Sequence, residues 1–153
     1  MSEELRISLV TTQAELNECL LVRRAVFIRE QGVTEEEEID EHDGDPATVT
    51  SALHVLGRVE GFPSATGRLL LDYPAGENAH IGRVAVMQQL RGRGYGRAVM
   101  EALQAQARER DIAGITLDAQ LHAISFYEGL GYVARGDVFL DAGIKHRSMD
   151  LAL

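Results

Sequence analysis

An apolar run, a glycine-rich turn and a long amphipathic stretch, in that order, constrain this chain more than any other feature of its sequence. Arg83–Val86 is typical of a buried strand, Arg91–Gly96 carries glycines at positions 92, 94 and 96, and the stretch that follows has helical spacing. Glycines let the backbone approach a ligand closely, and the first turn of a helix presents N–H groups and the positive end of its dipole. The sequence therefore predicts a strand, a phosphate-binding loop and a helix.

Two other phosphate motifs fit this segment less well. A Walker loop is excluded because no Lys-Ser or Lys-Thr follows the glycines. A dinucleotide fingerprint needs a glycine at position 97, which is Arg97. Asp118 lies at about the right distance for a ribose-binding acid, but the 35 residues beyond it are too few for a second mononucleotide half. Dinucleotide binding and a glycine turn without a ligand stay open as alternatives.

Two motifs resemble those of the GCN5-related N-acetyltransferases (GNAT). Arg91–Gly96 matches every specified position of the acetyl-CoA signature [RQ]-x-x-G-x-[GA]. Gln120–Tyr132 is similar to the segment N-x-x-A-x-x-F-Y-x-x-x-G-[FY], with Gln120 where Asn is usual. The resemblance implies acetyl-CoA as co-substrate, bound by these residues: Val84, Ala85, Val86, Arg91, Gly92, Arg93, Gly94, Tyr95, Gly96, Gln120 and Tyr127.

The N-terminal half is similar to the small bacterial ElaA-like acetyltransferases, which have the pattern R-x-x-V-F-x-x-E-Q followed by E-x-D-x-x-D. The matching residues begin at Arg23 and Glu38. The pattern also resembles that of acyl-homoserine-lactone synthases, which bind a cationic sulfonium substrate beside the acids. The resemblance implies these acceptor-binding residues: Phe27, Glu30, Glu38, Asp40 and Asp43. A solvated charge run, or ion pairs of the acids with Arg23 and Arg24, are the alternatives.

Acetyl transfer requires a neutral amine, and an ammonium with a pKa of about 10.4 needs a base or a desolvated site to lose its proton near pH 7. His122 is the candidate base, with His80, Asp118, Glu38 or a water chain also open. By resemblance, a backbone N–H around Val86 stabilises the thioester oxygen. Tyr127 is the candidate general acid for the CoA thiolate; its alternative role is that of a core aromatic beside Phe126.

Length and charge favour one domain in two functional halves. With 153 residues, the chain suits a single acetyltransferase domain over residues 1–153. Residues 1–80 have 16 acids and 6 bases, a net charge of −10, whereas residues 81–153 have 8 acids and 9 bases, a net charge of +1. We therefore expect residues 1–80 to bind a cationic amine and residues 81–153 to bind acetyl-CoA. This charge distribution disfavours nucleic acid as a partner.

Other features of the sequence bear on location, metals and redox state. The segment Met1–Leu5 is not basic, and no apolar run approaches a membrane span, so the sequence predicts a cytoplasmic protein that binds no membrane. The acidic run lacks the glycine and glutamate of a calcium loop, so we expect no metal. Cys19 is the single cysteine, and we expect it in the core.

Periodicity predicts the order βαβββαβαββ, the mixed α/β arrangement of the GNAT superfamily, with a central, mostly antiparallel sheet flanked by helices. Thr11 or Thr12 is expected to cap the first helix, with Arg23 and Arg24 on the flank of its buried stripe. An irregular acidic segment over 35–46 and a turn at 61–63 follow. The second long helix, expected to end near Asp111, carries a predicted solvated stripe: Arg97, Glu101, Gln104 and Arg108.

Three functions are compatible with these patterns. The first is transfer of an acetyl group from acetyl-CoA to a primary amine of a small molecule, or to an exposed amino group, by direct attack in a ternary complex. The second is an acyltransferase that resembles the acyl-homoserine-lactone synthases. The third is a module that senses acyl-CoA without turnover. By analogy with the superfamily, a homodimer through the C-terminal strands is also expected.

Overall fold

A computed structural model describes residues 4–153 of the chain; Met1, Ser2 and Glu3, on which part of the expectation for the N-terminus depends, lie outside them. Seven strands form one sheet in the order β1-β2-β3-β4-β5-β7-β6. Their bounds are β1 Leu5–Leu9, β2 Ala52–Val59, β3 Phe62–Leu70, β4 Ala79–Val86, β5 Gly114–Gln120, β6 Val133–Asp141 and β7 Ile144–Ala152. Only the β4–β5 pair is parallel. The predicted mixed, mostly antiparallel sheet is confirmed.

Helices cover both faces of the sheet. Their bounds are α1 Gln13–Arg23, continued by a π-helix over Arg24–Glu30, then α2 Glu35–Glu38, α3 Tyr95–Glu109 and α4 Ile124–Glu128. Alternate residues of β2 enter two different cores, because successive side chains of a strand point to opposite faces. Leu53 and Val55 pack with α3, whereas Leu56 packs with α1. The two long helices therefore lie on opposite faces of the sheet.

Helix α1 begins where the capping residues predict, but one of its side chains is wrongly placed by periodicity. Thr12 and Glu15 form a reciprocal capping box, with Glu15 N donating to Thr12 Oγ1 at 3.2 Å and Thr12 N to Glu15 Oε1 at 3.1 Å. Arg23, expected on the flank of the helix, is 1% exposed. It is buried because carboxylates from a distant segment satisfy its guanidinium, as described below.

The structure corrects several other details. The acidic segment is not irregular, since it contains α2, capped by Thr34, and a 3₁₀ turn over Glu41–Asp43. The β2–β3 hairpin turns one residue earlier than expected, at Glu60 and Gly61, both with positive φ. Gln104 is buried rather than solvated, because its side-chain oxygen accepts a hydrogen bond of 2.8 Å from the Tyr132 hydroxyl.

The cysteine, Cys19, is a core residue. Cys19 is completely buried between α1 and β2, and burial raises the pKa of its thiol to about 11. The thiol is therefore protonated at neutral pH and serves in packing, as the sequence predicts. Across residues 4–153, no helix has both the length and the apolar character of a membrane span.

Strands β4 and β5 separate soon after they begin. They are paired only at Ala79 with Ile115 and at His80 with Thr116. Further along β4, a bulge places Arg83 in the left-handed region with φ of 55°, so that two residues of β4 lie opposite the single Gly67 of β3. The sheet is thus split along its middle, at the end of β4 that leads into the glycine loop.

Candidate active site

A single cavity of about 1110 Å³ occupies the gap between the separated ends of β4 and β5. It extends from the glycine loop, past the π-helix that follows α1, to the C-terminal hairpin. Fourteen residues predicted for the site line it: Phe27, Glu30, Glu38, Val84, Ala85, Val86, Arg91, Gly92, Gly94, Tyr95, Gly96, Gln120, His122 and Tyr127. Three predicted residues, Arg93, Asp40 and Asp43, lie outside the lining.

The glycine loop ends in a helix start that is open to the cavity. Gly92 and Gly94 have φ of 80° and 84°, which side chains disfavour, and Gly94 directly precedes α3. The helix makes its first internal bond from Ala98 N to Gly94 O, at 3.1 Å. The N–H groups of Gly96 and Arg97 therefore have no acceptor within the helix and can bind an anion.

Arg91 joins the loop to the N-terminal half of the protein. Its guanidinium donates two hydrogen bonds to the Glu30 carboxylate, at 2.6 and 2.7 Å, and a third to the carbonyl of Val86 at 3.0 Å. The bond from Arg91 lowers the pKa of Glu30. Arg91 and Glu30 thus form an ion pair, although Arg91 was predicted to bind phosphate and Glu30 the acceptor.

The opposite wall of the cavity presents a phenol and an amide. Tyr127 of α4 packs edge-on against the rings of Phe126 and Tyr132, with ring centroids 5.0 and 5.9 Å away. Burial raises the pKa of Tyr127 to about 12, so the hydroxyl carries its proton at neutral pH. The Gln120 amide exchanges hydrogen bonds of 2.8 and 3.2 Å with the amide of Gln31, which lies at the end of the π-helix.

Three acids of the segment, Glu38, Asp40 and Asp43, are held by arginines, whereas its other acids are exposed, as the solvated-run alternative predicts: Glu35, Glu36, Glu37, Glu41 and Asp45. Arg23 binds both oxygens of Asp43, at 2.7 and 2.9 Å, and Glu38 Oε2 at 2.8 Å. Arg68 donates to Asp40 at 2.8 Å and to Asp43 at 3.1 Å. Arg23 and Asp43 therefore form an ion pair, which is one of the alternatives that the sequence left open. The side chain of Asp43 is completely buried. Only Glu38 of the three acids reaches the cavity.

Arg24, the other arginine of the ion-pair alternative, has a different partner. Its guanidinium binds Glu35 at 2.7 Å on the surface, where both side chains are exposed. Exposed pairs of this kind contribute little to stability. Arg24 is therefore no part of the buried cluster.

Burial and ion pairing shift the two buried acids in opposite directions. Burial acts to raise the pKa of Asp43, but the hydrogen bonds and charge of Arg23 outweigh it and hold that pKa well below its usual range. For Glu38, burial outweighs the charges of Arg83 and Arg23, so its pKa is raised. The cluster is therefore anionic at Asp43 under all ordinary conditions, whereas Glu38 is more easily protonated.

Arg83 connects this cluster to the bulge in β4. Its Nε donates to the carbonyl of Glu38 at 3.1 Å and also lies 3.1 Å from the Glu38 carboxylate. The residue with strained backbone in β4 is thus fixed by the acidic segment through its own side chain. Sequence reasoning left Arg83 unassigned, because its partners lie more than forty residues earlier in the chain.

The four proposed bases all line the cavity, in different environments. His122 is exposed in the turn before α4. His80 stacks on Tyr73 with ring centroids 4.2 Å apart, and burial lowers its pKa. Asp118 accepts a 2.8 Å hydrogen bond from Ser148, and Glu38 is ion-paired with Arg23 and Arg83.

A further histidine lines the cavity, and sequence reasoning missed it. His146 is buried in β7, next to the hairpin that leads into that strand. It lies outside both recognised motifs, and in the sequence it shows only as a polar residue in a final strand. Its pairing with the end of β5, seen only in the structure, brings it to the cavity.

Comparison with known proteins agrees with this geometry. A family model for the GNAT acetyltransferase domain matches residues 73–153, and YyaT of Bacillus subtilis is 33% identical over 142 residues, which cover 93% of this chain and 92% of YyaT. The chain belongs to the GNAT family of acetyltransferases. It is an acyltransferase, and the family fold implies an acyl-CoA co-substrate.

Solved structures support the same assignment over the whole chain. ElaA of Escherichia coli is 28% identical, has a TM-score of 0.78 and is matched over 96% of this GNAT chain and 99% of ElaA. An acyl-CoA N-acyltransferase from Pseudomonas aeruginosa is 30% identical, with a TM-score of 0.77 and coverage of 96% and 99%. The predicted resemblance to ElaA is confirmed.

Proposed function

We propose that this GNAT protein transfers an acetyl group from acetyl-CoA to a primary amine by direct attack in a ternary complex. The observation that carries the proposal is the continuity of the cavity, which runs from the start of α3 past Tyr127 to Glu38. A helix N-terminus for phosphates, a phenol for the leaving thiolate and a carboxylate for the acceptor therefore border one space.

Acetyl-CoA would lie along the gap between β4 and β5. Past His80, β4 has no β5 partner, so the backbone of Val84, Ala85 and Val86 is available for the amides of pantetheine. The pyrophosphate would bind the N–H groups at the start of α3, where Gly92 and Gly94 let the backbone approach it. Arg93 lies outside the cavity lining, so we assign it only a contribution to the charge of the loop.

The chemistry needs two groups from the chain, a backbone N–H donor and a proton donor. The neutral amine attacks the thioester carbon, a C–N bond forms, and a backbone N–H of β4 stabilises the oxyanion. The C–S bond then breaks, and the thiolate takes the proton of Tyr127. The phenol carries its proton at neutral pH, so it has a proton to donate when the thiolate leaves.

The acceptor is a cationic amine in this proposal. The cavity lining includes five acids and four arginines: Glu30, Glu37, Glu38, Asp118, Asp141, Arg68, Arg83, Arg91 and Arg97. Glu30 and Glu38 are ion-paired with arginines, whereas Glu37, Asp118 and Asp141 have no ion pair within residues 4–153 and can attract a cation. Several of the five acids lie in the half of the chain with net charge −10. An ammonium group is attracted to such a surface before it loses its proton.

The test is isothermal titration of the full chain with acetyl-CoA, followed by thiol release with spermidine, kanamycin, free amino acids and lysine peptides. Micromolar binding with release on one amine supports the proposal and identifies the acceptor class. Binding without release on any amine favours the acyl-CoA sensor instead. No binding at all would overturn the assignment of the glycine loop.

A further inference from the structure

We propose that His146 is the group that takes the proton from the acceptor amine, an inference that depends on the proposed function. Its imidazole lines the same cavity as Tyr127 and Glu38. Three independent features of the structure support the assignment: the tautomer, the position in the sheet and the state of the competing groups.

The tautomer is fixed by a backbone carbonyl. His146 Nδ1 lies 2.7 Å from the carbonyl oxygen of Ile144. Because a carbonyl only accepts hydrogen bonds, Nδ1 must carry the proton, and Nε2 of the neutral ring presents a lone pair. Across residues 4–153, Nε2 has no hydrogen-bond partner, and it is not an enclosed atom. In the neutral ring the proton acceptor is therefore Nε2, an atom that is not enclosed, on a residue that lines the cavity.

Neighbours in the sheet fix the position of the ring. His146 pairs with Gln120 of β5 on one side and with Phe139 of β6 on the other. Paired residues share a face of the sheet, and the imidazole stacks on Phe139 with ring centroids 5.9 Å apart. Since Leu117 and Ala119 are buried toward α3, His146 and Gln120 lie on the opposite face.

The competing groups are less suited to the task. Glu38 is engaged by two arginines, and the His80 ring is stacked on Tyr73 with its pKa lowered by burial. Asp118 accepts from Ser148, and His122 is an exposed side chain with no partner in residues 4–153 to orient its ring. Only His146 combines a fixed tautomer with an unpartnered nitrogen that is open to the cavity.

The proposed step balances as follows. One proton passes from the ammonium to His146 Nε2, and the freed lone pair forms the C–N bond. When the C–S bond breaks, Tyr127 gives its proton to the thiolate, and the second proton lost by the amine nitrogen restores the phenol. His146 then releases its proton to water. The products are an amide, CoA thiol and one proton.

The first test is a pair of substitutions assayed with the amine that gives the fastest release in the panel above. In His146→Gln, the side chain can form hydrogen bonds but cannot take a proton, so we expect kcat to fall about 100-fold. The affinity for acetyl-CoA, measured by titration, should change less than threefold. Lys145→Gln is the matched control, because Lys145 is exposed on the same strand and lies outside the cavity, and its kcat should be unchanged.

Chemical rescue separates proton transfer from a structural role. Adding imidazole to His146→Ala should raise the rate of that variant at least tenfold. No such rise is expected if the role of His146 is only structural. If that variant does not fold, His146→Asn keeps a donor for the Ile144 carbonyl and should lose as much kcat as His146→Gln. If the wild type is active and His146→Gln has the same kcat, this inference alone is overturned. The same holds if kcat falls strongly in His122→Gln and not in His146→Gln. A wild-type protein that is inert with every amine overturns the proposed function and this inference together.

Discussion

Tyr127, the proton donor in the proposed reaction, has a pKa that burial raises. The phenol is enclosed by Phe126 and Tyr132, and its pKa is raised to about 12. A phenol exposed to water titrates near 10, so burial makes this phenol a weaker acid that is fully protonated at neutral pH.

We therefore expect Tyr127→Phe to lower kcat about 100-fold while leaving the affinity for acetyl-CoA within threefold of wild type. Steady-state thiol release and isothermal titration measure the two quantities. An unchanged kcat would assign Tyr127 to packing, and the structural change is small because only the hydroxyl is removed.

Asp43 is the residue whose loss should destabilise the fold most. Its carboxylate is completely buried and shared by Arg23 and Arg68. Asp43→Asn leaves two buried guanidinium groups short of negative charge, which costs about 3–5 kcal/mol of unfolding free energy. Urea unfolding measures it. Glu35→Gln, which breaks an exposed pair, is the matched control and should cost less than about 1 kcal/mol.

The same cluster marks where sequence reasoning fails for single residues. Helical periodicity places Arg23 correctly on α1 but assigns it to the flank, because its partners are 15 and 20 residues further along the chain. Local patterns carry no information on such a pairing. Residues predicted from one motif, such as Gly94 and Tyr127, do line one cavity, since their local geometry follows from neighbours in the sequence.

At the scale of elements, the glycine loop and α3 act together. Gly94 has φ of 84°, and a Cβ built on it meets no atom within 4 Å, so a methyl group there would project into open space at the start of the helix. That space is where the proposal puts the pyrophosphate. The strain and the obstruction are separate effects of one substitution, and a second glycine distinguishes them.

Gly94→Ala should weaken acetyl-CoA binding at least tenfold and lower the unfolding free energy by about 1–2 kcal/mol. Gly61→Ala introduces the same strain in the β2–β3 turn, where φ is 83° and nothing lies within 4 Å. It should lose similar stability but keep full affinity. Equal affinities in the two variants would remove the pyrophosphate from this loop. Titration and thermal melting give both values.

Helix α3 ends at Glu109, close to the expected end near Asp111, whereas two other segments differ from expectation for separate reasons. Turn chemistry at Glu60 and Gly61 was overlooked, because a non-glycine residue with positive φ is uncommon. The short α2 was expected to be irregular, since four consecutive glutamates repel each other, yet the Thr34 cap and the favourable placement of acids in a first helical turn offset that repulsion.

At the scale of the whole molecule, acid should destabilise the protein in two stages. Burial lowers the pKa of His54, so its contribution to stability is complete above the unfolded value of about 6.5 and is lost as the pH falls below it. The pKa of Asp43 is also lowered, so its contribution is lost only below the unfolded value of about 3.9. Glu38, with a raised pKa, opposes this loss in part.

Thermal melting across pH 8 to 3 should therefore show a plateau above about pH 7, a first decline that begins near pH 6.5, and a steeper one that begins near pH 4. His54→Gln should flatten the first decline only. His122→Gln, an exposed histidine, should leave the curve as it is. A first decline that persists in His54→Gln would assign it to another group, such as His80.

The family resemblance predicted the architecture, but it did not predict how few residues pair between β4 and β5. Strand existence follows from alternation and turn residues, but the extent of pairing between two strands does not. β4 and β5 are both good strands by pattern, and only the three-dimensional structure shows that they pair at two positions while β5 and β7 pair at seven.

In the proposed binding mode, the short pairing of β4 with β5 gives the co-substrate a second role. β1–β4 form one half-sheet and β5–β7 another, and near the cavity the amide pair Gln31–Gln120 links the π-helix that follows α1 to the end of β5. In the proposed binding mode, a pantetheine chain that bonds to the unpaired part of β4 would extend the pairing across the gap between the two half-sheets. Bound acyl-CoA would then restrain the relative motion of the two half-sheets, so that the acceptor would meet a more rigid protein than the co-substrate does.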